Sequence, residues 1–208
     1  MTHWADRIAE EIIASGKYKP YRVDDMKTPS GYAHIGSVLG PMIHSAIFRA
    51  LKDAGKEATL TYVFNDFDPA DEFPEALKKT LDGHQGEPLK RVPSPSTNFD
   101  NLADFLANDF KKALEYLGFE ARYISSWELY HEGRFDEVIK LALDNSEKIQ
   151  DIYRKVSGSA KKEKGWLPFQ VICEKCGKLG TTRLYDWEGE QVSYKCETDL
   201  VEWAQGCG

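Results

Sequence analysis

Apolar residues recur at two different periods along this chain, and the changes of period mark out its elements. Over 2–15, Trp4, Ile8 and Ile12 keep helical spacing, with Thr2 placed to cap and Gly16 to stop the helix. The run 21–23, extending toward Asp25, reads as a strand. Leu39, Ile43, Ile47 and Leu51 then repeat every four residues, widened by Val38, Met42 and Ala46. That stripe predicts a helix over 37–54 closed by Gly55. Pro41 falls in its first turn, where a missing N–H does little harm. The β-branched and aromatic run 58–64 reads as a second strand, ending in Asn65-Asp66-Phe67-Asp68-Pro69. Strand, turn, helix and strand form a βαβ unit, so the fold class is α/β with a parallel sheet. Its ligands belong at the carboxyl ends of the strands, where Gly31, His34, Asp66 and Asp68 fall.

Beyond that unit the pattern is broken and then resumes. Gly83, Gly86, Pro88, Pro93 and Pro95 make 70–97 irregular, a segment suited to the rim of a site. From Asn98 a helix carries Leu102, Leu106, Phe110, Ala113 and Leu117 and stops at Gly118. A short strand follows over 121–125. One long helix over 135–156 is predicted from Phe135, Ile139, Leu143, Ile149, Ile152 and Tyr153. The polar stretch 157–164 is the linker, and 181–187 with 191–195 flank Glu188-Gly189-Glu190 as a hairpin. The chain shows no internal repeat and no low-complexity tract.

The first strand meets its helix through Thr28-Pro29-Ser30-Gly31-Tyr32-Ala33-His34-Ile35-Gly36-Ser37. Two glycines and a proline shape this turn, and a histidine projects from it. A helix start leaves N–H groups unpaired and carries the positive end of the helix dipole, which suits a phosphate. His34 adds a further donor, and Gly36 lets a flat ligand approach the backbone closely. Taken alone, the turn also fits an ordinary strand-to-helix connection with an incidental histidine.

Composition narrows the setting. With 208 residues, 41% hydrophobic and 29% charged, the chain has the make-up of a globular protein able to bury a real core. No apolar run approaches a membrane span, and the N-terminus lacks a signal-peptide pattern, so a cytoplasmic protein is expected. The formal charge of −7 argues against a surface coated for non-specific nucleic-acid binding. Lys161, Lys162 and Lys164 form the densest basic strip, which reads foremost as a solvated loop.

All four cysteines lie late in the chain. Cys173 and Cys176 share a C-x2-C turn, while Cys196 and Cys207 follow beyond the hairpin. Two cysteine-bearing turns joined by a hairpin are how a zinc ribbon offers four thiolates to one tetrahedral, structural Zn2+. A redox pair, two disulfides or idle thiols are the alternatives. A cytosolic setting disfavours disulfides, and no thioredoxin-like pattern surrounds this C-x-x-C.

The turn with its His34-Ile35-Gly36-Ser37 core resembles the first signature of class I aminoacyl-tRNA synthetases, and most closely that of the class I lysyl-tRNA synthetases. The likeness extends to Asp66-Phe67-Asp68-Pro69, Gly86-Glu87-Pro88-Leu89, Glu128-Leu129-Tyr130, and the block from Trp166 to Gly177. It therefore spans nearly the whole chain. The resemblance implies the first half of a Rossmann-like catalytic core over 1–69, a mainly helical continuation or insertion over 70–156, and a zinc-ribbon-like module over 157–208. It also implies that lysine and ATP give lysyl-adenylate, whose lysyl group passes to tRNA(Lys), with Mg2+ sharing the phosphate charge. His34, Gly36 and Ser37 would form the catalytic turn. Thr28, Pro29, Ser30 and Gly31 would line the phosphates and the amino acid. Asp66 and Asp68 are the acidic residues nearest the turn for lysine's ammonium, although an aspartate before a proline is commonly a turn former. Cys173, Cys176, Cys196 and Cys207 would hold the metal. A cytoplasmic monomer without membrane contact is expected.

Two departures qualify the likeness. Ser37 stands where a second histidine is usual, so that imidazole contact is absent, and its hydroxyl is placed to cap the helix. A Lys-Met-Ser-Lys-Ser-like second signature is missing. Lys155-Val156-Ser157-Gly158-Ser159 imitates it but precedes the cysteine block, whereas the resemblance places the true loop after it. A piece truncated before that loop, and inactive alone, is the expectation. A nucleotidyltransferase with a related turn would not carry the cysteine block. A non-catalytic zinc-ribbon protein binding RNA or a partner would form no adenylate.

Overall fold

The computed structural model describes residues 3–157 and 165–208. The expected Thr2 cap and the Lys161, Lys162 and Lys164 strip lie outside them. By contacts the chain forms two units, Met1–Asp66 with Ser94–Ser126 and Phe67–Pro93 with Trp127–Gly208. Among the described residues no helix is long and apolar enough to cross a membrane.

The first unit is built on three parallel strands, β1 (Tyr21–Lys27), β2 (Ala58–Phe64) and β3 (Arg122–Ser125), in the order β1-β2-β3. Register sets Val23 opposite Leu60, Lys27 opposite Phe64, and Phe64 opposite Ser125. Strand alternation turns Leu60, Tyr62 and Phe64 to one side. There they pack with Phe110, Leu114 and Phe119, all buried. Phe110 and Leu114 come from α3 (Leu102–Tyr116), an amphipathic helix capped by Asn101, whose side chain accepts the Asp104 N–H at 2.9 Å. A second cluster joins Tyr21 to Ala5 and Ala9 of α1 (Trp4–Ala14) and to Ala50 and Leu51 of α2 (Leu39–Asp53). Each large side chain buried in these clusters is worth about 1.5–3 kcal/mol.

The strand over 58–64 lies where the sequence placed it, whereas β1 runs on to Lys27. The apolar alternation stops at Val23 because Asp25 and Lys27 occupy the next two inward positions. Asp25 is held there by His44 of α2, whose Nδ1 lies 3.0 Å from Asp25 Oδ2. The helix predicted over 37–54 starts earlier, as a 3-10 turn over Ile35–Val38 that leads into α2. His3 caps α1, its Nδ1 accepting the Ala5 N–H at 3.4 Å.

In the second unit the segment 67–93 contains no helix or long strand, as its glycines and prolines imply. A short helix, α4 (Ser126–His131), follows β3 directly and was not anticipated. The single helix expected over 135–156 is instead two, α5 (Asp136–Asp144) and α6 (Ser146–Ser157). Asn145 separates them, its N–H and its side-chain amide both donating to the Leu141 carbonyl, at 3.2 and 2.8 Å. The hairpin is present as antiparallel β4 (Thr182–Trp187) and β5 (Val192–Cys196).

Candidate functional site

The turn between β1 and α2 is held from three directions. Pro29 is buried at its base, and the Ser30 N–H donates to the Thr28 carbonyl at 2.9 Å. On the α3 side, Asp109 Oδ2 accepts the Ala33 N–H at 2.9 Å. Asp25 and His44 fasten the first turns of α2 to β1. A Cβ on Gly40 would stand 2.9 Å from Asp25 Oδ2, so glycine there admits the carboxylate. Beside this pair, burial foremost, then the charge of Asp25 and the phenol of Tyr123, push the Tyr62 phenol above its ordinary range.

His34 is extended, at φ −139° and ψ 163°, and exposed. Its ring lies against Gly36, where a Cβ would stand 3.2 Å from both Cε1 and Nδ1. The close approach that Gly36 permits is therefore made first by His34 itself. The Ser37 N–H donates to the His34 carbonyl at 2.9 Å, which opens the 3-10 turn. Ser37 does not cap the helix: its hydroxyl oxygen is buried without a partner, because the 3-10 turn displaces the cap position back to His34. Gly31 faces open space. At the carboxyl end of β1 the run 28–37 thus exposes His34 and Gly36, keeps Thr28, Ser30, Gly31 and Ser37 half-buried, and buries Pro29.

The two candidate aspartates are placed differently. Asp66 ends the first unit and is only 3% exposed; it accepts hydroxyl hydrogen bonds from Ser125 at 2.6 Å and Ser126 at 3.1 Å. Asp68 belongs to the second unit, where its carbonyl accepts the Leu89 N–H at 2.9 Å. Burial, aided by the charge of Asp68, raises the Tyr130 phenol there. Lys155 to Ser157 are helical, the Ser157 hydroxyl donating to the Tyr153 carbonyl at 2.7 Å. Gly158 and Ser159 lie outside the described residues.

Sequence reasoning missed Asp109, and also two ammonium groups set over the aromatic core. Lys27 Nζ lies 5.8 Å from the Phe110 centroid, and Lys111 Nζ 5.3 and 5.0 Å from those of Phe64 and Tyr123. The available signal for Lys27 was its position immediately before Thr28.

The four cysteines converge in the second unit. Their sulfurs lie within 4.8 Å of one another, with Cys173 to Cys207 at 3.7 Å and Cys176 to Cys196 at 3.6 Å. Four thiolates at about 2.3 Å from one tetrahedral ion stand about 3.8 Å apart, so the donor set fits such an ion. Local backbone prepares the site: the Gly177 N–H donates to the Cys173 carbonyl at 2.8 Å, and the Cys207 N–H points at Cys196 Sγ at 3.3 Å. Burial opposes ionisation of Cys173, but N–H groups from Cys176 and Lys175 and the neighbouring thiols outweigh it and bring the thiol down to about 7. Burial and then the surrounding sulfurs push Cys207 up to about 12. A cation bound among the four sulfurs would favour the thiolate form of each.

Residues 2–207 match the family described as tRNA synthetases class I (K). The chain belongs to the class I (K) tRNA synthetases. The parallel three-stranded sheet with its helices fits the α/β core of that family. Among related synthetases, the lysine–tRNA ligase of Methanocaldococcus jannaschii is 36% identical over 196 residues, covering 94% of this chain and 37% of the ligase. Lysine–tRNA ligase 1 of Methanosarcina acetivorans is 36% identical over 93% of this chain and 36% of its own length. For the Archaeoglobus fulgidus ligase the figures are 31%, 94% and 39%. The chain thus spans little more than a third of the curated synthetases it matches.

Proposed function

We propose that this chain forms the lysine- and ATP-binding part of a lysine–tRNA ligase, one that makes lysyl-adenylate and passes the lysyl group to tRNA(Lys). The observation that carries the reading is the His34 ring set against Gly36, at the start of a helical segment fed by a parallel strand. In this reading His34 and Gly36 meet ATP, Ser37 follows them in the turn, and Thr28, Pro29, Ser30 and Gly31 border the phosphates and the amino acid. The protein holds the lysine carboxylate against the α-phosphate and stabilises charge growing there, with Mg2+ sharing it. Asp109 fixes the turn that does this. Asp66, which accepts hydrogen bonds from two serine hydroxyls, shapes the end of β2.

The remaining assignments belong to the same reading. Residues 1–69 form the first half of the Rossmann-like core, 70–156 a helical continuation or insertion, and 157–208 a zinc-ribbon-like module. Cys173, Cys176, Cys196 and Cys207 hold a structural Zn2+ with no position open to substrate. The protein acts in the cytoplasm as a monomer, and the 208 residues alone do not turn over.

The test is lysine-dependent pyrophosphate exchange by this chain joined to the part of the Methanocaldococcus jannaschii ligase that it does not match. Exchange with lysine and no other amino acid is expected, and His34→Ala should lower it about 100-fold or more. Silence with every amino acid, in a chimera that folds, would sink the reading. Exchange by the 208 residues alone would overturn the expected inactivity.

A further inference from the structure

Between Thr28 and Phe48 the chain contains no lysine or arginine, although this stretch includes the whole turn that the proposed function gives to a triphosphate. Backbone N–H groups and one imidazole are a weak match for a ligand carrying several negative charges. The nearest cation in sequence is Lys27, the last residue of β1. Its backbone is fixed, since its carbonyl accepts the Asn65 N–H at 3.0 Å and so ties the end of β1 to the end of β2. Its side chain is half-buried, and its ammonium stands over Phe110. Phe110 is itself 1% exposed and braced by Tyr62 and Phe64, with centroids at 5.8 and 6.4 Å. Among the described residues Lys27 forms no ion pair. The fixed ring below orients the ammonium, which is left without an ion-pair partner among the described residues.

We propose that Lys27, posed over Phe110 at the carboxyl end of β1, is a phosphate-binding residue for the nucleotide held at the His34 turn. The inference rests on the ATP-site reading above. An ammonium directed at a phosphate oxygen makes a charge-assisted contact that a neutral side chain of similar length cannot. Lys111 provides the internal comparison, because it stands over Phe64 and Tyr123 in the same aromatic cluster but lies on α3, outside the turn.

Calorimetric titration of the 208-residue chain with ATP and with adenosine, both with Mg2+, tests this. Lys27→Met is expected to weaken ATP about tenfold and leave adenosine unchanged, the loss of one charge-assisted contact. Lys27→Arg should recover most of the affinity, and Lys111→Met should bind as the parent does. The proposal is overturned if Lys27→Met binds ATP normally, if adenosine weakens equally, or if Lys111→Met matches it. A His34→Ala arm separates the two readings. Loss of ATP in that variant, with Lys27→Met unaffected, removes Lys27 alone; a parent chain that binds neither ligand removes both.

Discussion

At the scale of single residues, what the sequence made legible were groups with a fixed spacing to one another. His34 and Gly36 are two apart, and Cys173 and Cys176 three apart, so a local turn brings each pair together without help. Asp109 was not legible for the opposite reason. It reaches the Ala33 N–H from 76 positions away, and nothing near it in sequence marks it as different from other surface acids. Gly206 is similar. Its φ is not left-handed, so no turn rule calls for glycine, yet a Cβ there would stand 2.8 Å from Cys196 Sγ and closer still to the Glu197 carbonyl oxygen. Backbone cannot yield as a flexible side chain does. Gly206→Ala should therefore cost about 1–3 kcal/mol, the range for overpacking, and displace Cys196 or Cys207. Denaturant melts and a zinc-binding titration measure both effects. Parent-like stability with parent-like zinc affinity would show that the chain beside the cluster is looser than its packing implies.

At the scale of elements, periodicity located the long pieces and failed where packing or local hydrogen bonds compete with it. α4 is too short to display a repeat, and β1 conceals its last turn of alternation behind Asp25 and Lys27. The division of α5 from α6 is a sharper case. Ile149 continues the apolar stripe of Leu143, yet Asp144-Asn145-Ser146 are residues whose side chains bond nearby backbone and weaken a helix interior. The question is whether Asn145 makes the break or merely occupies it. Alanine at this site would favour a continuous helix by about 0.7 kcal/mol at most. Against that stands Leu143, 3% exposed, whose burial is worth about 1.5–3 kcal/mol, together with Gln150 at 2%. Packing outweighs propensity, so Asn145→Ala should keep both helices. It should lose up to about 1 kcal/mol with the bond to Leu141, with helical circular dichroism unchanged. A rise in helicity would instead assign the break to the asparagine.

At the scale of the molecule, the cysteine cluster governs more of the chain than its own segment. The Gly86 carbonyl accepts N–H groups from both Leu179 and Gly180, at 2.6 and 3.1 Å. At φ 91°, Gly86 also packs where a Cβ would press on Ala204 and Lys178, at 3.1 Å each. From Gly86 the contacts continue, since its N–H donates to Ala70, and Ala70 in turn donates to Glu87. An irregular loop around 68–89 therefore borrows its order from a module that begins some ninety residues later in the chain, a coupling no sequence pattern announces. The structural zinc proposed for this cluster would contribute on the order of 10 kcal/mol of local folding energy, far more than any single contact here. Removing it with a chelator should then raise amide exchange in two separated stretches, 173–208 and 68–89, rather than in the first alone. Peptides from 21–64 provide the internal reference, because the cores they join hold no residue beyond Tyr123. Exchange-coupled mass spectrometry before and after chelation, with zinc added back, makes the measurement. Deprotection confined to 173–208 would mean that the 68–89 loop is ordered by its own bonds. Deprotection of neither stretch would mean that the four sulfurs need no ion to stay together.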